Sequence, residues 1–182
     1  MTDGNGKTSS MQYDSQGNVS QVTDPLQRTA SAVYDVLGER VSLTDSMQNT
    51  TKYTYDPAGR LTGTVFPYTS TSSAQYDGNG NVKVRIDALQ RQTLYTYDNA
   101  DRLINTVYPD GTSTSTSPYN YNWRGQPLSQ TDQAGHVTVN VSHKAGQLTQ
   151  TTTAYGTPDA AETEYSYDAA GGGRARSIRA AT

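Results

Sequence analysis

The feature that most constrains this chain is a Tyr-Asp pair that returns at a fixed interval. Tyr13-Asp14, Tyr34-Asp35, Tyr55-Asp56, Tyr76-Asp77 and Tyr97-Asp98 stand 21 residues apart, one from the next. The interval then loosens: Tyr121-Asn122 follows after 24 residues, Ser142-His143 after 21 and Tyr167-Asp168 after 25. A period of this size means that one supersecondary unit is repeated, with insertions falling in its turns.

Each unit has an internal grammar. Four residues after the tyrosine position stands Gly17, Gly38, Gly59, Gly80, Gly125, Gly146 or Gly171, with Asp101 the one substitute. Seven residues beyond the glycine, four units carry Asp24, Asp45, Asp87 and Asp132. Asp3 keeps the same register ten residues before Tyr13, so the repeat is read as already under way at the start of the sequence. In Tyr-Asp-x-x-Gly the carboxylate can accept from backbone N–H groups ahead of it, and glycine supplies the positive φ that closes the turn. A type I turn followed by a left-handed glycine is a common hairpin connection. The second turn reads Asp24-Pro25-Leu26-Gln27-Arg28, Asp87-Ala88-Leu89-Gln90-Arg91 or Asp132-Gln133-Ala134-Gly135-His136, and becomes Phe66-Pro67 or Tyr108-Pro109-Asp110-Gly111-Thr112 in alternate units.

Between the turns the pattern has period 2. Tyr53/Tyr55, Leu61/Gly63/Val65, Val82/Val84/Ile86, Tyr95/Tyr97, Leu103/Asn105/Val107 and Val137/Val139/Val141 are each expected to mark one face, with much of the other left to Thr, Ser, Gln and Lys. Two antiparallel strands of roughly six to eight residues per repeat follow, joined into a long meander. No stretch of the repeat region holds an i, i+3, i+4 apolar face, so helices are not expected there.

Composition supports the β reading. Val, Leu, Ile and Phe make up only 25 of 182 residues, which would suggest disorder. The net charge of −3, however, gives little self-repulsion, and 14 Tyr and 27 Thr suit a half-buried pleated surface. An isoelectric point near 5.2 argues against a nucleic-acid partner. The chain has no cysteine for disulfides and no apolar run long enough for a membrane span. It does not open on a conventional signal peptide, so export is expected only as part of a larger protein.

Tyr55-Asp56-Pro57-Ala58-Gly59-Arg60-Leu61-Thr62 resembles the central motif of the YD-repeat, or Rhs-repeat, family. Tyr108-Pro109-Asp110-Gly111-Thr112 and Asp24-Pro25-Leu26-Gln27-Arg28-Thr29 are similar to its alternating half-repeats. The likeness covers about residues 3–171. It implies a curved or spiralling strip of about eight partial repeats within a hollow β-cage. In bacterial Rhs effectors and insecticidal toxin complexes such a cage surrounds a toxic C-terminal segment, and animal teneurins use a similar shell in adhesion. The expected role is therefore a structural, encapsulating module, secreted or surface-associated within a larger protein. Its expected partners are flanking repeats, or other copies through exposed edge strands, and a toxin segment in a full-length relative. Residues 1–171 are read as the array and 172–182 as a non-repeat, disordered tail.

Sharper chemistry is weaker at every point. One Asp per turn falls below the six to eight oxygens that calcium takes, so turn capping is the better use of these carboxylates. His136 and His143 could approach one another on successive strands, but without Cys or clustered carboxylates they make a poor metal site. No Ser sits in a Gly-x-Ser-x-Gly elbow, so no enzyme and no cofactor is expected. Trp123 is the candidate for stacking on a sugar ring, which keeps a surface-glycan or protein-binding adhesion module as the alternative function.

Overall fold

A computed structural model describes residues 8–116, 121–168 and 171–179. These residues form an all-β meander of sixteen strands, in two compact units. Of the described residues, the first unit comprises 8–76 and 84–92, and the second 77–83, 93–116, 121–168 and 171–179. The only helical element among the described residues is a single 3-10 turn, Pro67–Thr69, so no helix is long and apolar enough to cross a membrane.

The first unit contains β1 (Ser10–Tyr13), β2 (Val19–Thr23), β3 (Thr29–Tyr34), β4 (Arg40–Thr44), β5 (Thr50–Tyr55), β6 (Leu61–Val65) and β7 (Thr71–Tyr76). Each is antiparallel to the next. The division between units runs through β8 (Val82–Ile86) and β9 (Gln92–Tyr97). The second unit continues through β10 (Leu103–Val107), β11 (Ser113–Ser115), β12 (Ser129–Thr131), β13 (Val137–Ser142), β14 (Leu148–Thr153), β15 (Ala161–Tyr167) and β16 (Gly173–Arg179). From β9 to β16 each strand is again antiparallel to its successor. Half of the strands are shorter than the expected six to eight residues, because each turn takes up five residues.

The 21-residue period contains one residue that does not belong to the pleat. Tyr55 faces Leu61 and Thr54 faces Gly63, so Thr62 is an unpaired bulge residue on β6. The same slip leaves Ser20, Val41, Ile104 and Thr149 outside the register of β2, β4, β10 and β14. Every one of these bulges lies just after a Tyr-Asp-type turn. Among the described registers none is interrupted after the second turn, where Thr23 faces Thr29 and Thr44 faces Thr50.

The bulge corrects the expected faces. Leu61 lies opposite Tyr55, while Val65 lies opposite Lys52, so Leu61 and Val65 point to different sides. Leu103 opposite Tyr97 and Val107 opposite Leu94 are split in the same way. A bulge resets the in-out alternation, which a period-2 count along one strand cannot register. Val137, Val139 and Val141 do share a face, since β13 is uninterrupted. In the first unit one face carries Tyr34, Leu43, Tyr53, Tyr55 and Leu61, and the other Ser31, Ser42, Thr44, Lys52 and Thr54.

The strands are also staggered. Val33, Ser42 and Lys52 are level; Tyr34 lies one residue beyond Val33, whereas Tyr55 lies three beyond Lys52. Each repeat therefore climbs two residues, an even step that returns every tyrosine to the same face. A rise of two residues over two strand spacings tilts the strands by about 35°, within reach of the tilt in closed barrels. The second unit keeps this step. Thr96 is level with Val137 through Asn105, Ser115 and Thr131, and Tyr97 and Ser142 stand one and five residues beyond that level.

The sheet has almost no core. Among the described residues only Val84, Thr64 and Thr106 are buried. Thr64 lies opposite Tyr53 and Thr106 opposite Tyr95, so a small side chain is covered by the adjacent ring.

The expected disordered tail is corrected in part. Residues 173–179 form β16, which pairs with β15 from Tyr167↔Gly173 to Ala161↔Arg179 without a slip. Backbone pairing makes no demand for the repeat motif, and Arg176 falls directly opposite Glu164, a favourable cross-strand pair. Asp3 and residues 180–182 lie outside the described residues.

Candidate functional site

The residues that the repeat singles out form a linked series of turns. In the first, Asp14 N–H donates to the Asn18 carbonyl at 2.9 Å and Gly17 N–H to the Asp14 carbonyl at 3.1 Å. The Asp14 Oδ1 accepts from the N–H of Gln16 and Asn18, and its Oδ2 from the Asn18 side chain at 3.0 Å. The same backbone ring closes at Asp35, Asp56, Asp77, Asp98, Asn122, His143 and Asp168. Gly17, Gly38, Gly59, Gly80, Gly125, Gly146 and Gly171 hold φ between +76° and +97°, and Asp101 takes their place at +58°. Glycine is needed here because a Cβ disfavours this region.

The second turns have identical hydrogen bonding, which their sequences conceal. Asp24 N–H donates to Arg28 and Gln27 N–H to Asp24; Asp45 and Asp87 repeat this with Gln48 and Gln90. Gln27, Gln48 and Gln90 occupy the glycine position at φ +60°, +66° and +62°. The aspartate is what these turns share with the first type, but it is not what admits a β-carbon at the glycine position, since Thr69 stands there at φ +72° in the turn begun by Phe66. Phe66 and Tyr108 begin the turn with no carboxylate of their own, and the backbone ring still forms.

A fifth position completes each turn. Arg28, Arg60, Arg91 and Arg102 direct Nε at 2.7–2.8 Å onto Oδ2 of Asp24, Asp56, Asp87 and Asp98, while Asn49 and Asn81 reach Asp45 and Asp77. Side-chain bonds from Arg28, Asn49, Arg91 and Arg102 hold Asp24, Asp45, Asp87 and Asp98 below the usual carboxylate range. At Asp56 and Asp77 burial pushes upward, and the N–H and side-chain bonds from Arg60 and Asn81 outweigh it. Glu39 fills the fifth position beside Asp35 and is raised, first by burial and then by the carboxylates of Asp35 and Asp56.

The tyrosines tie one repeat to the previous one. Tyr55 Oη donates to the Arg40 carbonyl at 3.0 Å, Tyr76 to Leu61 at 2.8 Å and Tyr97 to Val82 at 3.0 Å. Tyr121 and Tyr167 do the same to Leu103 and Leu148. Arg40, Leu61, Leu103 and Leu148 are the residues just before the bulge, where the ladder is interrupted and a carbonyl is open to another donor. The arginines close the link. Arg60 lies 4.7 Å from the centre of the Tyr76 ring and Arg102 4.1 Å from that of Tyr121, so one guanidinium joins its own turn to the next tyrosine. Arg60 and Thr62 stand within the family-like motif, but nothing in the sequence assigned these links to the arginines or the bulge threonines. Thr62 and Thr149 donate across the bulge to the carbonyls of Thr54 and Val141.

Tyr13 lies outside this linkage; its hydroxyl meets Met11 Sδ at 3.8 Å. Trp123 is exposed in the turn begun by Asn122, with the Arg124 guanidinium 4.4 Å from its ring centre. His136 and His143 do not meet. They flank the two ends of β13, roughly 20 Å of strand apart. His136 pairs with Asp132 at 3.1 Å, and His143 replaces the turn aspartate, its Nδ1 accepting from Ala145 N–H at 2.9 Å. Among the described residues no group of three His, Cys, Asp or Glu gathers to hold a metal ion. An open recess of about 390 Å³ beside the short β11 and β12 is lined by Leu103, Thr106, Tyr121, Gln130, Asp132 and Thr138, among others.

Several solved toxin-complex structures share this fold. TcdB2-TccC3-Cdc42 superposes with a TM-score of 0.67 at 16% identity, over 93% of this chain and 11% of that one. TcdB2-TccC3 without its hypervariable C-terminal region gives 0.59 at 16% identity, over 88% and 10%. A variant of the Photorhabdus luminescens Tc holotoxin pore gives 0.54 at 17% identity, over 92% and 12%. The chain thus spans about a tenth of the length of these structures, and identities this low carry the fold alone. A comparison with curated proteins finds no match. The RHS Repeat family model matches residues 1–29, 34–71 and 76–113, more than half of the sequence. By that match and by its turn-and-latch repeat, the chain belongs to the RHS repeat family.

Proposed function

We propose that this chain is a stretch of wall in an Rhs-type shell, sheathing a toxin segment or scaffolding a secreted toxin, and that it acts by shape rather than by catalysis. The observation that carries the reading is that each unit is a layer of antiparallel strands in which almost none of the described residues is buried. Such a layer encloses no core of its own, and its constant stagger and one-sided bulges suit a surface that curves around something else. Stability in this design comes from each repeat leaning on its neighbours, as it does in other repeat proteins. As a wall segment it would work outside the producing cell, within a longer protein.

The test is a graft. Residues 8–179 replace, in register, the shell segment of TcdB2-TccC3 on which they superpose, and protease access to the hypervariable C-terminal region is followed. A wall segment keeps that region protected, whereas an unrelated β-meander of equal length exposes it. Exposure in an assembled graft would refute the role.

The exposed Trp123 favours a second reading, an adhesion module that stacks on surface glycan. Quenching or shift of the fluorescence of this single Trp on titration with glycans supports it, and an unchanged spectrum removes it.

A further inference from the structure

The second turns of the first unit place one large apolar side chain each at their tips. These are Leu26, Met47, Tyr68 and Leu89, the third residues of the turns begun by Asp24, Asp45, Phe66 and Asp87, and they recur every 21 residues. Their exposures are 65%, 80%, 90% and 72%, among the highest of the large apolar residues. The same place on the opposite rim holds Gln16, Leu37 and Ala58, and in the second unit Asp110 and Ala134. The apolar row is therefore particular to one rim of one unit.

The constant register sets the four tips in one row, and from Met47 to Leu89 hydrogen bonds tie each tip's turn to the neighbouring repeat, so the tips form one ridge. Tyr68 Oη donates to Asn49 Oδ1 at 3.2 Å, and Gln90 Nε2 donates to the carbonyl and hydroxyl oxygens of Thr71 at 3.0 Å. Two strand spacings and a two-residue climb separate the tips by roughly 12 Å. The charges beside them are already matched. Arg28 pairs with Asp24 at 2.6 Å and Arg91 with Asp87 at 2.7 Å, so covering the ridge strands neither of these two carboxylates.

We infer that this ridge is an interaction surface for a second copy of itself. A row of knobs at a constant wide pitch is best matched by another row of the same pitch. Two-fold symmetry meets the requirement directly, setting Leu26 against the partner's Leu89 and Met47 against the partner's Tyr68, with each contact made twice. The four side chains offer on the order of 500 Å² per copy, so a dimer buries about 1,000 Å², the lower end of specific interfaces. Association is therefore weak and reversible. The contact is between turn rims, and is independent both of strand addition at the sheet edges and of the shell role.

Sedimentation velocity of the chain over a concentration range, ~10 µM to ~1 mM, tests this. The chain is expected to pass from monomer to dimer, and the combined variant Leu26→Ser, Met47→Ser, Tyr68→Ser, Leu89→Ser to remain monomeric with an unchanged far-UV spectrum. Because the chain has no cysteine, geometry is read from single replacements. A mixture of Leu26→Cys and Leu89→Cys forms a disulfide-linked heterodimer under mild oxidation faster than either variant links to itself. Undiminished association of the serine variant would assign it to the edge strands and overturn the ridge. A monomer at every concentration, or faster self-linking of Leu26→Cys, would overturn it equally.

Discussion

Tyr97 Oη donates at 3.0 Å to the Val82 carbonyl, fifteen residues earlier and in the preceding repeat. Its phenol is raised above the usual range, chiefly by burial and then by Tyr95 and Asp77 nearby. The link joins two repeats rather than two ends of one turn, so its loss weakens the interface on which a one-dimensional array depends. Tyr97→Phe keeps the ring and removes the donor. It is expected to cost about 0.5–1.5 kcal/mol, the net worth of one such bond. Urea unfolding of the two proteins measures it. Equal midpoints would mean that the ring alone does the work.

Gln48 and Gln90 occupy the same strained backbone position but differ in what their side chains do. Gln48 stands at φ +66° in a turn held by Asp45, and a glycine there is free of the Cβ penalty. Gln48→Gly should stabilise by about 0.5–1 kcal/mol, the left-handed cost less the entropy that glycine loses. Gln90→Gly gains less or nothing, because its amide also bridges to Thr71. Thermal melts of the two variants should therefore move apart. A matching rise in both would show that the bridge to Thr71 contributes nothing.

These glutamines mark where the sequence was legible and where it was not. Asp14, Gly17 and their equivalents announce a turn, because carboxylate capping and positive φ are local demands met by particular residues. The meander followed from the turn spacing. Asp24-Pro25-Leu26-Gln27 announced a turn as well, yet nothing local says that Gln27 stands in for glycine. The Thr62 bulge was invisible, since a bulge is defined by the partner strand: Thr54 faces Gly63 and leaves Thr62 out. The tyrosine latches were missed for the same reason. Tyr97 repeats visibly, but its acceptor depends on a register that only pairing sets. The stretch after Gly172 misled in the other direction, because β16 is held by the backbone of β15 rather than by any motif.

Acid is predicted to unfold the array through its turns. The carboxyls of Asp14, Asp24, Asp45, Asp87 and Asp98 are all held low, chiefly by side-chain bonds from the fifth turn residue. A carboxyl whose folded pKa lies below its unfolded value stabilises at pH above the unfolded value, and that stability is lost as pH falls through the folded one. The melting temperature should stay nearly level from pH 7 to about 5 and drop steeply below about pH 4. Glu39, raised in the fold, opposes this slightly, as its protonation favours the folded state. Several turns titrating together make the drop steep, and Asp45→Asn should make it shallower. A melting temperature that holds from pH 5 to 2 would show that the turns do not depend on their charge.

The bulge makes a prediction about deletions that separates it from ordinary strand positions. Removing Thr62 leaves Tyr55 opposite Leu61 and Thr54 opposite Gly63, so the register and both faces survive. What is lost is the hydrogen bond from Thr62 to the Thr54 carbonyl at 3.1 Å, about 1 kcal/mol, together with some local twist. Removing Thr54 instead shortens β5 by one pleated residue. Tyr55 then points to the opposite face, away from the Arg40 carbonyl that its hydroxyl reaches, and every later repeat is displaced against the earlier ones. The Thr62 deletion should therefore fold, with a melting temperature a few degrees lower, whereas the Thr54 deletion should lose cooperative unfolding. Circular dichroism melts and amide exchange across β5 and β6 read both outcomes. Equal damage from the two deletions would mean that Thr62 belongs to the pleat after all, and that the repeat has no spare residue.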